Sequence, residues 1–351
     1  MRRVTTLGAA MLAAALVLAG CGGNGDDTEE TPKAGGTTSE APKSDIKVGL
    51  AYDIGGRGDQ SFNDAAARGL DQAAEEFGVE TEEAEAANGE PDSAKEERLR
   101  ALASAGFNPV IAVGFAYSAP VAKVAAELPD TQFAIIDDAA AVGDNIANLV
   151  FAEHEGSFLV GAAAALKSES GKIGFVGGVD VPLIRKFEAG YEAGAKAVNP
   201  DVEIEVQYLT QPPDFSGFGD PAKGKTAAAG MFDAGADVVY HAAGGSGGGV
   251  FEAAKDAGGW AIGVDSDQYL TAPDDVKEVI LTSMLKKVDV AVYDFIKSVT
   301  EDNFQAGTVE YNLEKDGVGY STSGGFVDDI ATKLDEFKAQ IVSGEITVPA
   351  E

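Results

Sequence analysis

Residues 46–63 read IKVGLAYDIGGRGDQSFN. The first seven form a short apolar run that stops at Asp53 and a glycine-rich turn. A run of that length bounded by turn residues predicts a strand buried on both faces. Residues 63–77 follow with apolar side chains at helical spacing. Strand, polar loop at its carboxyl end, then helix is the unit whose repetition decides the fold.

The unit recurs down the chain. Residues 79–82 predict a short strand, and 93–105 a helix with Ser93 as N-cap and Glu96 completing a capping box. Strands are expected over 109–113, 132–136 (QFAII, ending at Asp137 and Asp138) and 146–150, with a helix over 116–127. The pattern then restarts with a nearly uncharged helix over 155–167, which should be buried on most sides. Strands over 172–176, 202–209, 238–242 and 260–264 alternate with helices over 182–198, 221–234 and 247–257. Asp220 is placed to cap the 221–234 helix, with Pro221 in its first turn. The tail predicts a strand over 281–283, a helix over 286–300, strands over 309–313 and 318–320, and a closing helix over 328–343.

Strands alternating with helices imply parallel sheets covered on both faces. Two series imply two doubly wound α/β lobes joined by a hinge. Lobe 1 is expected over 46–150 and lobe 2 over 151–269, with the tail returning to lobe 1 over about 270–305 and to lobe 2 over about 306–351. In such sheets ligands bind beyond the carboxyl ends of the strands. Asp53, Asp137, Gly177, Gly244 and Asp265 stand at those ends.

Upstream of residue 46 the composition changes. Arg2 and Arg3 precede an uncharged apolar run over 7–18, too short to span a bilayer. Leu18-Ala19-Gly20-Cys21 then resembles a bacterial lipobox. This predicts a signal peptide over 1–20, lipidation of Cys21, and a tether over 21–45 too polar to form a core. Acyl chains on Cys21 would hold the chain on the membrane, each buried methylene contributing about 0.8 kcal/mol.

Cys21 is the only cysteine, which excludes an intrachain disulfide and a multi-cysteine metal site. The formal charge of −32 repels nucleic acid and free nucleotides. The acidic stretch 80–97 reads as a solvated face, because it lacks the alternating oxygen ligands of a calcium loop. His154 and His241 are the only histidines and have no metal-ligand spacing, and no nucleophile elbow is expected. The glycine run 244–249 lacks a phosphate-loop ending and reads as a strand-to-helix turn.

Several segments resemble one family. DIGGRGDQSFN (53–63), FAIID (133–137), EGSFLVGAAAA (155–165), the stretch 173–200, DPAKGK (220–225), HAAGGSGGGVFEAA (241–254), GVDSDQ (263–268) and LTSMLKKVDVAVYD (281–294) are similar, in this order, to the basic membrane protein family of substrate-binding lipoproteins. The resemblance implies the type I periplasmic-binding-protein fold and capture of purine nucleosides for an ABC importer, on the outer face of the cell membrane. It also implies a permease as partner, a monomeric chain, and no cofactor, metal or nucleic acid. Phe62 and Phe218 would sandwich the base, with Phe215 the neighbouring alternative to Phe218. Asn63 belongs to the same loop as Phe62. Asp53 and Asp137 would meet the base edge. Asp265 and Lys286 would hold the ribose, with Lys287 the alternative to Lys286 and Gly244 allowing close backbone approach. The competing readings are a sugar or other small solute in the same cleft, and a surface signalling or adhesion lipoprotein.

Overall fold

The computed structural model describes residues 44–351. The Leu18–Cys21 motif and most of the tether lie outside them. The first lobe contains β1 (Lys47–Ala51), α1 (Phe62–Phe77), β2 (Glu80–Ala84), α2 (Asp92–Ser104), β3 (Val110–Ala112), α3 (Ser118–Glu127), β4 (Phe133–Ile136) and β5 (Ile146–Phe151). The second contains α4 (Glu153–Lys167), β6 (Lys172–Val179), α5 (Pro182–Val198), β7 (Glu203–Thr210), α6 (Pro221–Asp233), β8 (Val238–Ala242), α7 (Gly247–Ala257), β9 (Trp260–Asp265), the short α8 (Gln268–Thr271) and β10 (Ile280–Lys286). The tail contributes α9 (Val288–Thr300), β11 (Gly307–Tyr311), β12 (Val318–Tyr320) and α10 (Ala331–Val342).

Two six-stranded sheets result, ordered β2-β1-β3-β4-β5-β11 and β7-β6-β8-β9-β10-β12. Every pairing is parallel except that of β12 with β10. The first five strands of each sheet have the same order, so strand order reverses between β1 and β3 and between β6 and β8. A crevice opens at such a reversal, beyond the carboxyl ends of the strands. Helices α2 and α3 cover the outer face of the first sheet over a core that includes Leu99, Ile135 and Val121. Helices α6 and α7 cover the second over Met231, Val250 and Phe251. One continuous core, with Leu70, Phe158, Tyr191 and Val292, joins the remaining faces.

Local chemistry explains the helix ends. Asp220 caps α6 by accepting from the Lys223 backbone N–H at 3.1 Å, and Pro221 fills its first position. Helix α4 is buried along residues 156–164, and its tight packing on α5 depends on glycine. A Cβ on Gly190 or Gly194 would collide with the backbone carbonyls of His154 or Phe158.

Two expectations need correction. Helix α2 begins at Asp92 after Pro91, with no side-chain cap. Ser93 therefore lies inside the helix, and Glu96 is held instead by Arg100 at 3.0 Å and Lys123 at 2.6 Å. The tail also crosses at other places than expected. β10 extends the second sheet, α9 packs on α1 of the first lobe, β11 pairs with β5 of the first sheet, and β12 returns to β10. Three segments thus pass between the lobes, at 151–153, 286–288 and 311–318. They are laced together by Ala152 N–H to Tyr311 O (3.0 Å), Leu313 N–H to Glu155 Oε2 (2.8 Å) and Lys287 N–H to Gly317 O (2.9 Å).

Candidate functional site

The crevices of the two sheets face each other across one cavity. All eight residues expected to bind ligand line it: Asp53, Phe62, Asn63, Asp137, Phe218, Gly244, Asp265 and Lys286. Asp53 follows β1 and Asp137 follows β4, while Gly244 follows β8, Asp265 ends β9 and Lys286 ends β10. Asp137 and Asp265 occupy matching places in the two lobes, and both have left-handed backbone, with φ of 66° and 63°. Aspartate tolerates that conformation better than most residues, and it turns the carboxylate toward the crevice.

Each of these three aspartates has one oxygen engaged by the protein. Asp53 Oδ1 accepts from the Ile54 N–H at 2.7 Å. Asp265 Oδ2 accepts from Ser61 Oγ at 2.8 Å, across the lobe boundary. Asp137 Oδ2 accepts from Lys286 Nζ at 2.5 Å, also across the boundary. The other oxygen of each has no hydrogen-bond partner among the described residues, and Asp137 Oδ1 is fully buried in that state. Buried acceptors without partners are costly, so the cavity is arranged for a ligand that brings donors.

Burial pushes the carboxyls of Asp53 and Asp265 up to about 6. It also raises Asp59, which lines the same cavity. Lys286 is 2 % exposed along its side chain. Burial alone would depress its ammonium, but the carboxylates of Asp137, Asp265 and Glu153 outweigh it and hold Lys286 above its usual value. Its Nζ also lies 4.8 Å from the centre of the Phe62 ring, 5.1 Å from Phe151 and 5.5 Å from Phe187.

Lys286 ends a strand rather than starting a helix, because its backbone pairs with Val318 on β12. Lys287 takes the N-cap position of α9 and does not line the cavity. Phe218 lines the cavity and Phe215 does not. Asn63 is buried with its side chain engaged by protein. Its Oδ1 accepts from Asp53 N–H at 3.1 Å, and its Nδ2 donates to Asp59 Oδ2 at 3.0 Å and Ile54 O at 3.3 Å. Asn63 therefore positions Asp53. Gly114, at φ 99°, lies so close to Asp53 that a Cβ there would collide with its carboxylate.

Sequence reasoning missed Phe115, Leu183, Ile184 and Phe187, which complete the apolar walls. It also missed Glu153, 1 % exposed, with Lys286 at 3.8 Å and Lys186 at 3.4 Å. One further correction concerns the glycine run. Gly244-Gly245-Ser246-Gly247-Gly248 does spell the strand–turn–helix pattern of a nucleophile elbow. Ser246 is buried, however, and its Oγ accepts from Asp220 N–H at 2.8 Å and donates to Gly217 O at 2.7 Å. It is a brace between loops and does not line the cavity.

Two doubly wound lobes around a crevice are the type I periplasmic-binding-protein fold. The chain belongs to the family described as ABC transporter substrate-binding protein PnrA-like, whose model matches residues 46–351. It is 36 % identical over 359 residues to a CD4+ T-cell-stimulating antigen of Listeria innocua, covering 97 % of this chain and 96 % of that protein. It is 33 % identical over 369 residues to the ABC transporter nucleoside-binding protein BmpA of Lactococcus lactis, covering 100 % of this chain and 99 % of that one. The crystal structure of an ABC transporter solute-binding protein from Aeropyrum pernix superposes with a TM-score of 0.76 at 32 % identity, covering 87 % of this chain and 94 % of that chain. The family's description is that of the substrate-binding component of an ABC transporter.

Proposed function

We propose that this chain captures purine nucleosides between its lobes and delivers them to the permease of an ABC importer, held at the outer face of the cell membrane by a lipid on Cys21. The polar inventory of the cavity carries the reading. Three carboxylates each offer a free oxygen, apolar rings flank them, and Lys286 is the one cation among the lining residues. A purine nucleoside supplies a flat face for the rings and N–H and O–H donors for the carboxylates. Its name in the Lactococcus relative points the same way. Phe62 and Phe218 are assigned to the base, Asp53 and Asp137 to its edge, and Asp265 and Lys286 to the ribose, with Gly244 giving close backbone approach.

Four aspartates and a single lysine line the cavity, so a phosphate has nowhere favourable to sit. Calorimetric titration with adenosine, guanosine, inosine, uridine, ribose and AMP tests this. At least one purine nucleoside should bind, and AMP should bind at least about a hundredfold more weakly than adenosine. Tight AMP binding, or preference for ribose alone, would contradict the proposal.

The pH dependence has a defined sign. Asp53 and Asp265 have folded values raised from 3.8 to about 6. The stability they contribute is therefore fully present below about 4 and is lost as pH rises through about 6. A ligand donating to both carboxylates relieves that strain at neutral pH. At pH 5 each would be only about one-tenth ionised. Affinity should thus fall by up to about tenfold per carboxylate between pH 7.5 and 5, and ligand should raise the melting temperature more at pH 7.5. Equal affinity at both pH values would remove the carboxylates from the binding step.

Anchoring has its own test. Cys21→Ala should abolish incorporation of labelled fatty acid and shift the chain from the detergent phase to the aqueous phase in a phase-partition assay. Retained label in the variant would refute the lipid anchor.

A further inference from the structure

Phe215 lies next to the assigned base-stacking residue Phe218, yet it stays outside the cavity. It lines a separate depression at the mouth of the crevice, where Asn88, Pro91 and Ala116 of the first lobe face Pro213 and Asp214 of the second. Across that mouth its ring meets Phe115 edge-on, with centroids 5.9 Å apart and planes at 65°. Phe115 in turn meets Phe218 edge-on at 6.4 Å and 74°. Phe115 belongs to the turn after β3 of the first lobe, and Phe215 and Phe218 to the turn after β7 of the second. The second-lobe turn is braced from within. Thr210 Oγ1 donates to Asp214 O at 2.6 Å, Ser216 N–H donates to Asp214 Oδ1 at 2.9 Å, and Lys223 Nζ donates to Ser216 Oγ at 3.0 Å.

We infer that Phe215 is a latch: it does not touch the ligand, but through its edge-to-face contact with Phe115 it sets how long the lobes stay closed around the ligand. The inference rests on the nucleoside reading only for the choice of probe. The geometry separates the two phenylalanines of one turn. Phe218 faces inward to the cavity, and Phe215 faces outward to the opposing lobe. A contact made only when the lobes are shut adds to the barrier for opening and leaves the encounter with ligand little changed. Because it lies outside the cavity, it acts alike on every ligand the site accepts. Edge-to-face aromatic pairs have a modest energy beyond their buried area, so the effect should be graded rather than all-or-none.

Stopped-flow displacement on the full chain tests the latch, with guanosine, adenosine and a 2′,3′-dideoxynucleoside as probes. Phe215→Ala should raise the dissociation rate about 3- to 10-fold, by the same factor for all three, with association rates within about twofold of wild type. Phe215→Tyr, which keeps the ring, should stay near wild type. In a double-mutant cycle, Phe215→Ala should have little effect once Phe115 is already alanine. Unchanged dissociation in Phe215→Ala would overturn the latch. So would a factor that differs between ligands, because Phe215 would then be a ligand contact. If wild type binds none of the nucleosides, that failure falls on the nucleoside reading, and the same rate comparison runs with whichever sugar or nucleobase of a wider panel does bind.

Discussion

Lys286→Met is expected to lower the melting temperature by roughly 6–20 °C and to remove measurable nucleoside binding. Lys286 is the cation between Asp137 at 2.5 Å and Glu153 at 3.8 Å, and all three side chains are at most 5 % exposed. Removing one member of a buried ion pair leaves an uncompensated charge and costs about 3–5 kcal/mol, and about 2–4 °C per kcal/mol is usual for domains of about 150–250 residues. Methionine keeps most of the apolar stem beside Phe62, Phe151 and Phe187, so the loss reflects charge rather than volume. The deficit should shrink as the pH falls, because Glu153, whose carboxyl burial pushes up to about 7, then takes up a proton. Calorimetric melts at pH 5 and 7.5 check both statements. A variant that melts with wild type at neutral pH would mean that the lobe-bridging pair contributes nothing to the fold.

Asp265→Ala is expected to weaken ribonucleoside binding by about tenfold to a hundredfold. That range corresponds to loss of a hydrogen bond to a charged acceptor, about 1.5–3 kcal/mol. The same substitution should affect a 2′,3′-dideoxynucleoside much less, because that ligand has no diol to donate. Phe62→Ala should weaken both ligands by similar factors, since they share the base. Six affinities, measured by calorimetry on wild type and the two variants with the two ligands, separate these effects. Equal weakening of both ligands by Asp265→Ala would make Asp265 structural, a brace for Ser61 at 2.8 Å, and would end its assignment to the ribose.

Much of this architecture is legible in the residues. Short apolar runs ending in Asp or Gly mark parallel strands and their ligand-facing ends together, because a buried strand needs apolar side chains and the crevice needs polar ones. Asp53, Asp137 and Asp265 are found that way. What stays hidden is partnership between distant segments. The Lys286-Lys287 pair sits where apolar periodicity extends into α9, and only the pairing of Lys286 with Val318 makes it the end of a strand. Glu153 reads as an ordinary charge in a first helical turn, until its burial beside Lys286 is seen. Phe115 looks like a core residue before a helix, and its role depends on a turn 100 residues away in sequence. The crossings of the tail are hidden for the same reason, since a strand's own side chains do not specify which of two similar sheets it joins.

A purine nucleoside receptor of this form holds its ligand in the cavity between the lobes. A crystal structure of the chain grown with guanosine or adenosine tests it most directly. The base should lie between the rings of Phe62 and Phe218, its edge within hydrogen-bond distance of Asp53 or Asp137, and the ribose hydroxyls on Asp265 and Lys286. A nucleoside bound elsewhere, such as the groove lined by Lys225, Lys255 and Asp275, or a cavity holding a different class of solute under those conditions, would contradict it.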